Sequence, residues 1–119
     1  MDTINGIEIY SISKEAYKTY KEQAKQGKDA SSEIIRRKLT ALVINAVERK
    51  RIFKNKFTCR FGGFVMVVNE DTKMIEVLFW DNFKTHKSIA PKQSVNSLRN
   101  TYKQLGLSKS GDELLVAWI

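Results

Sequence analysis

The spacing of apolar residues along this chain alternates between steps of two and steps of three and four, and each change marks an element. After an Asn5-Gly6 turn, Ile7 and Ile9 alternate with Glu8 and Tyr10, which predicts a short edge strand. Ser13 then precedes Ala16, Tyr17, Tyr20 and Ala24 at helical spacing, with Gly27 as a stop, and predicts a helix over 14–26. A second start signal, Asp29-Ala30-Ser31-Ser32-Glu33, opens the stripe Ile35, Leu39, Leu42, Val43, Ala46 and Val47. That helix is expected over 31–53, with Glu33 in its first turn and Arg49, Lys50 and Arg51 in its last, where each sign suits the helix dipole.

Residues 57–68 read as one strand and 74–80 as its antiparallel partner, joined by the polar turn Asn69-Glu70-Asp71-Thr72-Lys73. Gly62-Gly63 inside the first strand reads as a β-bulge. The runs Phe64–Val68 and Val77–Trp80 are nearly continuous in apolar residues. They predict strands at the centre of the sheet, covered on both faces or covered by helices on one face and a partner on the other. Beyond Asp81-Asn82 the chain reads as a polar surface loop, and Pro91 suits the first turn of a third helix. Val95, Leu98, Tyr102 and Leu105 give that helix its apolar face, and Gly106 stops it. Ser110-Gly111-Asp112 reads as a turn before a last strand, Leu114 to Ile119. The expected order is β-α-α-β-β-α-β: an α+β fold, single domain over 1–119, with a mainly antiparallel sheet and three helices.

Length and composition agree with that picture. A chain of 119 residues can bury roughly two-thirds of its unfolded surface around one core, without metal or disulfide staples. The balance of 42% hydrophobic and 29% charged residues, with one proline, is that of a folded globular chain. Cys59 is the single cysteine, so an intramolecular disulfide and a multi-cysteine zinc site are excluded, and a reducing, cytoplasmic setting fits. No apolar run of about eighteen residues occurs, and the N-terminus lacks the basic and apolar regions of a secretory signal, so no membrane partner is expected.

Charge adds the functional clue. Lys and Arg outnumber Asp and Glu by 21 to 13, a net +8. Between Glu48 and Glu70 no acid occurs, while Arg49, Lys50, Arg51, Lys54, Lys56 and Arg60 place six cations within twelve residues. Such a run is stabilised by an anion of repeating charge, and a nucleic-acid backbone, DNA or RNA, is the first candidate. The expected mode is contact with phosphates through a cationic helix end and the adjacent strand. A second basic surface is expected from Lys84, Lys87, Lys92, Arg99 and Lys103 around the third helix. Phe57 and Phe61 alternate with polar residues and read as core, with base stacking as the alternative role.

Catalytic signals are few. One His and one Cys, twenty-seven residues apart, supply no zinc set, and Glu70-Asp71 and Asp112-Glu113 read as solvated turn residues. No metal or cofactor is expected, and His86 reads as an exposed loop residue among lysines. Helices followed by a hairpin with a basic approach, over residues 14–81, loosely resemble the small RelE-type ribonuclease toxins on element order. The resemblance implies metal-independent RNA cleavage, with Arg60 as the transition-state cation and His86 or Tyr102 moving protons. The reading from the residues is a small basic nucleic-acid-binding domain without catalysis. An interaction or inhibitor module for an acidic or nucleoprotein partner is the alternative from a different class.

Overall fold

The structure is a computed structural model and describes residues 3–23, 31–46, 48–61, 64–80 and 92–107. Asn5 and Gly6 both take positive φ, 51° and 81°, the pairing that lets a two-residue turn follow strand twist. They join β1 (Thr3–Ile4) to β2 (Ile7–Glu8) in a separate two-stranded ribbon. The expected edge strand at Ile7 therefore pairs with its own N-terminal neighbour. The edge position in the main sheet falls to β3 (Ser11–Ile12), which runs parallel to a strand far along the chain.

Ser13 caps α1 (Lys14–Gln23), its hydroxyl accepting from the Ala16 amide at 3.0 Å. The same hydroxyl donates to the Glu76 carbonyl at 2.7 Å, so the cap also fastens the helix to the sheet. Ser31 caps α2 (Ser32–Ile44) by accepting from Ile34, and Glu33 in the first turn pairs with Arg36 and Arg37 at 2.9 and 3.3 Å. The helix stops nine residues short of the expected 53. At its end the Asn45 amide nitrogen donates to the Ala41 carbonyl at 2.8 Å and to the Thr101 hydroxyl at 3.0 Å, while its oxygen accepts from Ser97. An asparagine side chain that competes for helix carbonyls and bonds a neighbouring helix makes a stop.

Residues Glu48–Phe53, expected as helix end, form strand β4. Lys54 and Asn55 turn the chain into β5 (Lys56–Phe61). The single strand expected over 57–68 is two strands: β5 pairs antiparallel with β6 (Phe64–Asn69), Phe61 standing opposite Phe64. Gly62 and Gly63 lie outside the described residues, but a bulge within one strand does not describe their neighbours. The Asn69–Lys73 turn is as expected. The Asn69 carbonyl oxygen of the side chain accepts from the amides of Asp71 and Thr72, an Asx turn, and leads into β7 (Met74–Trp80).

The sheet order is β3-β7-β6-β5-β4, with only the β3–β7 pair parallel. The described residues thus form a single α+β domain with three helices and a mixed, mainly antiparallel sheet whose centre is β6. The third helix, α3 (Lys92–Gln104), ends in a Schellman motif: Gly106, at φ 70°, donates to Lys103, and Leu107 to Tyr102. The expected loop before it and the strand over 114–119 lie outside the described residues.

One sheet face carries the core. Phe57, Cys59 and Phe61 of β5, Phe64, Met66 and Val68 of β6, and Ile75 and Leu78 of β7 pack in one cluster with Tyr20, Ile35, Leu39, Leu42, Leu98 and Tyr102 of the helices. Tyr20 stacks on Phe64 with ring centroids 5.9 Å apart. The helices therefore share one side of the sheet, and the alternate residues of β4 to β7 face away from them. Phe57 and Phe61 are 5% and 0% exposed, which assigns both to the core and removes them as stacking platforms.

Candidate nucleic-acid interface

Strand alternation divides the six cations that the sequence places together. Arg49 stands opposite Cys59, and Arg51 opposite Phe57, so both have the parity of the core-facing residues of β5. Arg49 donates to the Val43 carbonyl at the end of α2 and lies over the Phe57 ring, its guanidinium carbon 5.3 Å from the centroid. Arg51 pairs with Glu70 at 2.8 Å and donates to the Lys54 carbonyl at 2.8 Å. The α2 C-terminus, which has no basic residue in its last turn, receives its cation from the following strand. The cationic helix end expected from the sequence is thus a cationic edge strand.

Lys50 has the opposite parity and stands opposite Thr58. Thr58, Lys56 and Arg60 alternate with the buried residues of β5 and lie on the face that no described helix covers. Lys50 is then a diagonal neighbour of both Lys56 and Arg60, about 7–8 Å away in each case, while those two are roughly 14 Å apart along their strand. Lys54 sits exposed in the turn beside them. On the same face Lys56 pairs with Glu76 at 2.9 Å, and the Asn69 amide donates to the other carboxylate oxygen at 3.3 Å. These two bonds, led by that from Lys56, hold the Glu76 carboxyl below the usual carboxylate range. Glu48 occupies the register position opposite Arg60. Lys50, Thr58, Arg60 and Val65 line an open recess of about 410 Å³ with Arg49 and Cys59.

The rest of this face is apolar. Val65 and Val67 of β6 stand opposite Arg60 and Thr58, and opposite them in turn stand Phe79 and Val77 of β7, which are 45% and 41% exposed. The sequence marked the Val77–Trp80 run as needing cover, and the outward parity of Phe79 was the available signal that it faces away from the helices.

The second basic surface is elsewhere. Arg99 and Lys103 belong to α3, which packs on α2 in the helical layer, and Lys84 and Lys87 lie outside the described residues. Of the two pairings suggested by the ribonuclease resemblance, that of Arg60 with Tyr102 does not assemble: Tyr102 is fully buried in the core with the helices, whereas Arg60 is on the other sheet face; His86 lies outside the described residues. Cys59 is buried, and desolvation pushes its thiol up to about 12 against a smaller opposing pull from Arg49. Among the described residues no three His, Cys, Asp or Glu side chains converge as a metal set, and no helix is long and apolar enough to cross a membrane. Searches against protein-family models, curated proteins and solved structures matched nothing.

Proposed function

We propose that this protein is a nucleic-acid-binding domain that meets the phosphate backbone on the side of the β4–β5 hairpin that no described helix covers. The observation that carries the reading is the position of Lys50 between Lys56 and Arg60 on that side, with Lys54 at the hairpin end. Cations held by a sheet keep their backbone spacing without a ligand, so the ordering cost of binding falls on the side chains alone. Glu76, a carboxylate on this face, is already engaged by Lys56. Arg49 and Arg51 support the hairpin, and the contacts to phosphate fall to Lys50 and Lys54, both exposed, with Arg60 on the same face.

The test is a set of binding isotherms for RNA and DNA oligonucleotides at several salt concentrations. A log–log dependence of affinity on salt with a slope of about −1.4 on single strands and about −1.8 on duplex DNA is expected for two phosphate contacts. Absence of binding at low salt, or affinity indifferent to salt, would sink the reading and leave an acidic protein partner in its place. That second reading draws on Phe53, which is 66% exposed at the end of β4.

A further inference from the structure

We infer that the nucleic acid bound at this hairpin is single-stranded and that one of its bases stacks on Phe53; the inference rests on the phosphate reading above. The β4–β5 register breaks once. Arg51 stands opposite Phe57 and Phe53 opposite Lys56, so two steps along β4 face one step along β5, and Ile52 is the extra residue of a β-bulge. Regular alternation would give Phe53 the core-facing parity of Arg49 and Arg51. The bulge instead turns it to the side of its partner Lys56, which Lys50 and Thr58 share. Phe53 is 66% exposed there, more than any other large apolar side chain among the described residues. Lys54 follows it directly, and Lys50 lies about 10 Å back along the strand. Both lysines are exposed, and neither ammonium is engaged among the described residues. An open ring thus stands between two free cations, matching the order of phosphate, base and phosphate along one strand.

Duplex does not suit this arrangement. Its base faces are hidden in the stack, and reading its edges or wedging its steps takes an element that projects into a groove. The end of this hairpin does not project. The Glu70 amide donates to the Asn55 carbonyl at 2.7 Å and Arg51 pairs with Glu70 at 2.8 Å, so the hairpin end is tied to the turn beside it. A phenyl ring held level with its neighbours would meet sugars and phosphates on the outside of a duplex and gain little. An unstacked strand offers its π-faces instead, and one ring is a full platform for one base. A stable protein interface needs about 800 Å² on each side, far more apolar surface than Phe53 and Ile52 supply.

The experiment compares fluorescence anisotropy of labelled single-stranded RNA, single-stranded DNA and duplex DNA of one mixed sequence, using the full chain, Phe53→Ala, Phe53→Trp and Lys50→Ala. Circular dichroism and thermal melting confirm that each variant is folded. Tighter binding of either single strand than of duplex is expected. Phe53→Ala should weaken single-strand binding roughly fivefold to a hundredfold, the range for losing one stacking platform. Its salt slope should stay unchanged, and Phe53→Trp should retain the affinity. Lys50→Ala should instead reduce the slope on a single strand by about 0.7. Two results would overturn this inference and leave the phosphate reading standing, provided that Lys50→Ala still reduces the slope: a neutral Phe53→Ala with equal affinity for duplex and single strands, or a Phe53→Ala that weakens duplex and single strands alike. Failure of the unmodified protein to bind any of the three would overturn both and favour a protein partner at Phe53.

Discussion

The Arg49 guanidinium donates to the Val43 carbonyl, so the first cation of the basic run closes the end of the helix that precedes it. A charge-assisted bond to a helix C-terminus, with a ring 5.3 Å below the guanidinium carbon, is a folding contact. Arg49→Ala should cost about 1 kcal/mol of stability, given that the side chain remains exposed. Urea melts would measure it. Arg49→Lys should recover part of the loss, because an ammonium keeps the charge and gives up the planar stacking. Little change in the salt slope of nucleic-acid binding is expected in either variant.

Lys50 and Lys54 should behave in the opposite way. Both are exposed, and neither supplies a cap or core contact among the described residues. The double variant Lys50→Ala, Lys54→Ala should keep its melting midpoint within a degree or two while the salt slope on a single strand falls by about 1.4, two contacts at roughly 0.7 each. A folded double variant with an unchanged slope would move the interface away from this hairpin, with α3 the next surface to test.

Phe64 is fully buried, stacked on Tyr20 and paired in register with Phe61 and Trp80. Phe64→Ala should destabilise the domain by about 3–5 kcal/mol, since the central strand cannot collapse into the space left. Chemical denaturation followed by tryptophan fluorescence gives the number. A loss below about 1 kcal/mol would mean that α1 does not pack on the sheet as described.

The Glu76 carboxyl titrates below its usual range, chiefly because Lys56 donates to it. A carboxylate whose folded pKa is depressed adds stability above its unfolded pKa and loses that contribution as pH falls through the folded value. Glu76→Gln should therefore be less stable than the parent at neutral pH, and the difference should close under acid, below the depressed pKa. Melting curves taken from pH 7 down to pH 2 would show the convergence. A gap that stays constant across that range would assign the loss to packing around Asn69 and Ser13 and not to the charge.

The parts of the fold legible in the sequence are those whose signals are local. Ser13 and Ser31 announce their helices because a cap needs only the next three residues, and Gly106 stops the third because few other residues accept φ 70°. The β6–β7 hairpin shows in its apolar runs and in the Asn69 turn. The end of α2 was hidden because Glu48-Arg49-Lys50-Arg51 has no apolar alternation and helix-compatible residues throughout. Its strand conformation comes from pairing with β5, a tertiary effect. One local signal for the change lies in the sequence itself, the Lys54-Asn55 turn between β4 and β5.

The candidate site was legible in its charge and illegible in its direction. Counting cations needs no structure, but a helical reading of residues 49 to 51 cannot reveal that a strand sends Lys50 to one side and Arg49 and Arg51 to the other. For the same reason Phe57 and Phe61 were candidates for stacking and Phe53, placed in the helix, was not. The parity of the first two was settled by whichever face α1 and α2 cover, which the residues of β5 alone do not encode.

Among the described strands β4 is an outer edge, and it is where the Arg49-Lys50-Arg51 triplet sits. A free edge offers its amides and carbonyls to any passing strand, including β4 of another copy. Two such strands brought side by side in parallel register would oppose like charges at each position of the triplet, an encounter that costs energy at each opposed pair. The triplet thus acts as a guard for the solubility of its own edge, and the guard is only as strong as the ionic strength allows. Salt, or a polyanion neutralising Lys50, would lower the barrier between copies, so any pairing of β4 edges would depend on the same residues as the proposed phosphate contacts.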